Sequence, residues 1–201
     1  MSVLKRHGFK IAILALCALM AGYLYWSSAE ESRLPKMSAA PDYELTDLDG
    51  NPVTLADSNG KVRLFYFYFS YCPDVCPPST AQLIQVQNEM ISQGRFGEDF
   101  MINSITIDPE RDTPERIREF AGKFQAIDFS GWDFLRGDET YTAELAKSYG
   151  VTVIKDPSGN FTHTNYFILV DREGQVRKYI RADAELTTES IIQDVEAVLK
   201  D

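Results

Sequence analysis

The sequence predicts an α/β domain on a mixed sheet, preceded by one apolar helical segment. Three observations lead there. Val62–Phe69 is too apolar for a strand with one wet face, and it and a second strand at Phe100–Ile107 are each followed by a helical pattern, the order of parallel strand–helix units. Tyr166–Val170 and Gln175–Ile180, joined by Asp171-Arg172-Glu173-Gly174, read as a hairpin, which adds antiparallel strands. Residues 9–26 are apolar apart from Lys10 and match the length of a membrane span.

Taken in order, Lys5, Arg6 and Lys10 precede that span, Tyr23, Tyr25 and Trp26 stand where an interfacial aromatic belt falls, and Glu30 and Glu31 follow. This predicts a bacterial cytoplasmic membrane protein with a single span, its amino end in the cytoplasm and its body on the extracytoplasmic, periplasmic side. A signal peptide cleaved near Ser27-Ser28-Ala29 and a lipoprotein processed at Cys17 are the competing fates, and both also export the body. Residues 1–27 are thus read as stub and anchor, 28–40 as a polar linker and 41–201 as the domain. Within it, Pro41–Gly50 alternates and runs into the turn signal Asp49-Gly50-Asn51-Pro52. A helix is expected over Thr80–Ile91. Thr113 and Pro114 suit the N-cap and first position of another. Phe134–Gly137 suggests a short strand, Tyr141–Tyr149 a helix stopped by Gly150, and Thr188–Leu199 a closing amphipathic helix.

The 201 residues carry 20 basic and 30 acidic side chains. Five of the basic and two of the acidic lie in the first 40 residues, so the body is strongly acidic. A phosphate backbone would repel it, which excludes nucleic acid as a partner. Three cysteines are too few for a disulfide-stapled scaffold, and the body is long enough to bury a core without staples.

The body holds two cysteines, Cys72 and Cys76, and one histidine, His163. Both cysteines lie where the Val62 strand hands over to a helix, whose positive end favours thiolate, the nucleophilic and metal-binding form. A structural disulfide is the plain alternative. A bridge between residues four apart closes a tiny loop and stabilises little, and the carboxyl edge of a sheet is where α/β folds place ligand sites. His163, in Phe161-Thr162-His163-Thr164-Asn165, is by itself an ordinary polar residue entering a strand.

The string Tyr71-Cys72-Pro73-Asp74-Val75-Cys76-Pro77, then Asp108-Pro109-Glu110-Arg111-Asp112-Thr113-Pro114, then His163-Thr164 leading into Tyr166–Asp171 and Gly174, resembles the Sco/SenC family over the whole body. The resemblance implies a thioredoxin-like fold in a membrane-anchored copper protein of cytochrome c oxidase assembly. Carried over by position, it implies copper ligands at Cys72, Cys76 and His163, with Cys72 and Cys76 also a redox-active dithiol. Two thiolates and an imidazole suit Cu(I), whereas Cu(II) recruits a further ligand. The implied partners are cytochrome c oxidase subunit II, which receives copper or has a disulfide reduced, and an upstream copper donor or thiol reductant. The residue before the histidine is Thr162, where aspartate is common in the family, and Asp108–Pro114 reads as architecture flanking the site. The rival reading is an exported thioredoxin-like oxidoreductase or thiol peroxidase with no metal role. Such reductases carry a cis-proline where this chain has His163-Thr164-Asn165, which favours the metal ligand.

Overall fold

The computed structural model describes residues 3–31, 33–157, 159 and 161–201. It falls into two compact units, one reaching to Leu34 and one spanning Pro35–Asp201. The first is a single helix, α1 (Val3–Glu31). Among the described residues no helix is long and apolar enough to cross a membrane. The side chains described in α1, residues 8–23, cover about 24 Å at 1.5 Å per residue, short of the ~30 Å hydrocarbon core. The rest of the expected span, the side chains of residues 24–26, lies outside the described residues, as do those of the amino-terminal stub and of the candidate cleavage site.

The body is an α/β domain on a six-stranded mixed sheet. Its elements are β1 (Ser38–Ala39), β2 (Glu44–Thr46), β3 (Pro52–Thr54), β4 (Val62–Tyr68), α2 (Cys76–Ser92), β5 (Phe100–Thr106), α3 (Pro114–Gly122), β6 (Trp132–Leu135), α4 (Glu139–Ser148), β7 (Val153–Lys155), β8 (Phe161–His163), β9 (Tyr166–Val170), β10 (Gln175–Arg181) and α5 (Thr188–Leu199). The sheet order is β1-β10-β9-β4-β5-β6. β4, β5 and β6 run parallel, and β9, β10 and β1 add on antiparallel.

β4 and β5 are buried along their whole length, as a strand covered on both faces requires. Arg63 is the one charge inside β4. Its guanidinium is satisfied by the Ser58 carbonyl at 2.6 and 3.0 Å and by Asn59 Oδ1 at 3.0 Å, which is how a buried cation is tolerated. Leu83, Val86 and Met90 of α2 and Ile191, Val195 and Val198 of α5 are buried, each removal from water contributing roughly 1.5–3 kcal/mol for a large aliphatic side chain. Thr113 caps α3 as its sequence suggests, its Oγ1 accepting from Arg116 N at 3.2 Å.

Several boundaries differ from the sequence reading. Helix α2 starts at Cys76, ahead of the periodic stretch from Thr80, with Pro77 and Pro78 in the first turn, which suits them because a missing N–H costs nothing there. Helix α4 starts at Glu139 behind an Asp138 cap that accepts from Tyr141 N at 2.8 Å. The stretch read as a linker ends in β1, where Ser38 and Ala39 face Val176 and Gln175. An unforeseen ribbon, β7–β8, pairs Val153 with His163 and Lys155 with Phe161 outside the main sheet.

One consequence positions the site. Because β9 is antiparallel to β4, with Tyr66 opposite Phe167, the carboxyl end of β4 and the amino end of β9 share one edge of the sheet. The cysteine loop leaves the first, and His163 stands just before the second.

Candidate functional site

The loop after β4 is held from below. Asp112, fully buried, accepts hydrogen bonds from Ser70 N at 3.0 Å, from Ser70 Oγ at 2.5 Å and from Thr106 Oγ1 at 2.6 Å. Arg116 adds a bond from Nε to Ser70 Oγ at 3.0 Å and lies 4.2 Å from the centre of the Tyr71 ring. Arg136 donates to the carbonyls of Asp112 and Pro109, at 2.6 and 2.9 Å. The Asp108–Pro114 motif is therefore the floor of the cysteine loop.

On that floor Cys72 and Cys76 meet as free thiols, and the Cys76 backbone N–H donates to Cys72 Sγ at 3.4 Å. The two sulfurs are not equivalent. The hydrogen bond from the Cys76 thiol, aided by the backbone N–H groups of Cys76, Asp74 and Val75, overcomes burial and brings the Cys72 pKa down to about 5. Donating that bond, and being buried, pushes the Cys76 thiol well up, against a smaller opposing pull from the Tyr66 hydroxyl beside it. Cys72 is a thiolate at neutral pH and Cys76 holds the proton.

His163 ends β8. Its Nδ1 lies 3.1 Å from the Thr164 carbonyl oxygen, which can only accept, so Nδ1 carries the hydrogen and Nε2 keeps its lone pair. Nε2 is buried and has no hydrogen-bond partner. Burial lowers the imidazole pKa, against smaller upward pulls from the Thr164 carbonyl and the Cys72 thiolate, so the ring is neutral and able to donate to a metal. The Phe69 ring meets it edge-on at 6.1 Å.

Cys72, Asp74, Thr162 and His163 line one cavity of about 430 Å³, walled by Phe69, Tyr71, Pro73, Val75, Phe161 and Arg111. Cys76 lies fully buried and is not part of the wall. The structure thus brings the two cysteines into contact and sets His163 on the same cavity as Cys72. It does not close the three into a ligand set: among the described residues no three His, Cys, Asp or Glu side chains are gathered so as to hold a metal ion. A thiolate, a thiol that can lose its proton and an imidazole nitrogen without a partner still form a soft donor set that fits a thiophilic ion. Sequence reasoning missed the aromatic and cationic wall, and the only signal for Arg111 was its place in the Asp108–Pro114 motif.

An asymmetric dithiol at a strand–helix junction, with a neutral histidine across the cavity on a mixed sheet, defines a thioredoxin-like thiol protein. The chain belongs to the SCO1/SenC family, whose sequence profile matches residues 31–200. It is 28% identical over 200 residues to the SCO1 protein homolog of Bacillus subtilis, covering 98% of this chain and 97% of that one. Its fold is similar to that of BsSco, a member of the Sco family of cytochrome c oxidase assembly proteins in which a disulfide switch was identified, with a TM-score of 0.72, 30% identity and coverage of 84% of this chain and 97% of that one. It is also similar to Bradyrhizobium japonicum ScoI with copper bound, at TM-score 0.66 and 28% identity, covering 80% and 99%.

Proposed function

We propose that this chain binds copper through Cys72, Cys76 and His163 and serves the assembly of the binuclear copper centre of cytochrome c oxidase subunit II. The observation that carries the reading is the buried, unpartnered Nε2 of His163 on the cavity that Cys72 also lines. A buried polar atom without a partner costs about 1–3 kcal/mol, a cost that a bound ion would remove. Copper is the cargo: Cys72 offers a thiolate at neutral pH, Cys76 becomes a second once its proton is lost, and the soft pair with one imidazole favours Cu(I). An opening lined by apolar and aromatic side chains lets the ion pass to a docked acceptor by exchange of one ligand at a time.

The same thiols support a reductive role without metal. The Cys72 thiolate attacks one sulfur of an acceptor disulfide, forming a mixed disulfide and releasing one acceptor thiolate. Cys76 gives its proton to that thiolate and attacks Cys72 Sγ, leaving a Cys72–Cys76 disulfide and a fully reduced acceptor, a transfer of two electrons. The asymmetric pair favours this second reading, with Cys72 as nucleophile and Cys76 as the resolving thiol. In both, the apolar run of residues 9–26 would anchor the chain in the cytoplasmic membrane and hold the body on the extracytoplasmic side.

The test mixes the full chain in detergent with the isolated copper domain of subunit II. Copper-loaded chain should transfer its ion to the reduced acceptor, and metal-free reduced chain should convert the oxidised acceptor to its dithiol. If neither occurs, subunit II is not the partner. If reduction proceeds equally well with His163→Ala and no copper moves, the chain is a dithiol oxidoreductase.

A further inference from the structure

His163 sits on a ribbon that pairs with no strand of the main sheet, and two side chains, Phe69 and Arg111, hold that ribbon to the cysteine loop. Arg111 lies with its guanidinium 5.3 Å from the centre of the Tyr71 ring, next in sequence to Cys72, and 5.8 Å from the centre of the Phe161 ring, two residues before His163. Its Nε is fixed by Asp108, whose side chain is almost wholly buried. Phe69 packs on the same ribbon, 5.8 Å from the Phe161 ring and 6.1 Å from the His163 ring, but carries no charge and no anchor to the floor. The neighbouring Glu110 reinforces the arrangement: Lys155 of β7 reaches it at 3.4 Å, bonds Glu139 at 2.6 Å, and lies 5.2 Å from the opposite partner, the Phe161 ring.

We propose that Arg111 is a positioning residue that clasps the His163 ribbon to the Cys72 loop, so that the histidine reaches the ion held by the two sulfurs. The proposal rests on the copper reading above. Arg111 itself ligates nothing. It is a planar cation laid against one ring from each segment and anchored to the floor, and lysine, with a compact ammonium and no fork, is a poor substitute for it. The ribbon has no buried face of its own to hold it: its side chains are half-buried or exposed, with Ile154 pointing into solvent. Two cation–π contacts at partly exposed sites, each worth about two- to fivefold, together amount to roughly tenfold in the population of the closed arrangement.

The test is a double-mutant cycle on the full chain, with Arg111→Ala made in the intact and in the His163→Ala backgrounds. Cu(I) affinity, read by competition with a chromophoric chelator, should fall about tenfold in the first and not at all in the second. Amide hydrogen exchange of the metal-free protein should quicken about tenfold over residues 153–163 and stay unchanged in β4 and β5. Phe161→Leu, which removes the ring and keeps the apolar bulk, should reproduce both effects, so the test survives if the arginine variant folds poorly. An equal loss of affinity in both backgrounds, or unchanged exchange in the ribbon, would overturn the clasp. Failure of the intact chain to bind Cu(I) overturns the copper reading, and it is told apart from failure of the clasp because the exchange measurement uses no metal.

Discussion

Replacing Cys76 with alanine should move the reactivity of Cys72 toward higher pH, and the size of the move follows from the geometry. In the intact pair, made in a Cys17→Ser background so that no third thiol reacts, the Cys72 pKa of about 5 leaves it nearly all thiolate at pH 6. An unperturbed thiol is then only about 0.1–0.3% ionised. That is a gain of several hundredfold in thiolate, offset by about 25- to 100-fold because a less basic thiolate is a weaker nucleophile, with a Brønsted slope near 0.4–0.5. The net expectation is about tenfold faster attack on a disulfide probe at pH 6, with a rate that stays flat down to pH 6 and halves near pH 5. The main cause of the low value is the hydrogen bond from the Cys76 thiol, and the backbone N–H groups are lesser ones. Losing a hydrogen bond to a charged group costs about 1.5–3 kcal/mol, or ~1–2 pH units, so Cys76→Ala should place the midpoint near 6–7. The assay is stopped-flow release of thiopyridone from dithiodipyridine between pH 4 and 9. A midpoint that stays near 5 in the variant would refute the role given to the Cys76 thiol. A midpoint near 9 in the intact pair would refute the asymmetry itself.

Two further outcomes concern the support of the site. Asp112→Ala strips the acceptor from Ser70 N, Ser70 Oγ and Thr106 Oγ1, all buried, and should destabilise the body by about 3–5 kcal/mol, seen as a lowered urea midpoint with an unchanged slope; a loss below about 1 kcal/mol would show the floor to be dispensable. Burial, and then the Asp47 charge, raise the pKa of Asp133, so its ionisation opposes folding at neutral pH. Asp133→Asn should therefore stabilise the body at pH 7. That gain should shrink as the pH falls through the raised folded value and vanish below the unfolded one, near 3.8; a variant no more stable at pH 7 than the parent contradicts this.

Much of the fold was legible because its signals are local and strong. The unbroken apolar run of β4, the Thr113-Pro114 helix start and the Asp171–Gly174 turn each specify their element without help from the rest of the chain. The ribbon β7–β8 was not legible, since neither strand has a buried face to impose an alternating pattern. Helix α2 begins ahead of its apolar periodicity, which starts only at Thr80, while Pro77 and Pro78 fit the first turn, where no N–H is needed. The site divides in the same way. Cys72 and Cys76 stand out by type and spacing. The bonds from Ser70 to Asp112 join positions 42 residues apart, and the rings around Arg111 come from separate segments, so neither leaves a pattern along the chain. His163 was singled out by the motif it shares with the family, and the reason it suits a metal, an unpartnered buried Nε2, exists only in three dimensions.

The central claim is that the two sulfurs and the imidazole take one copper ion together. Its most direct measurement is Cu(I) stoichiometry and affinity for the fully reduced chain beside His163→Ala, with Cys17 replaced by serine in both. The account predicts one copper per chain, bound tightly by the parent and at least tenfold more weakly by the variant. Binding that is indifferent to His163, or no specific binding at all, would contradict it and leave the dithiol as the working part of the protein.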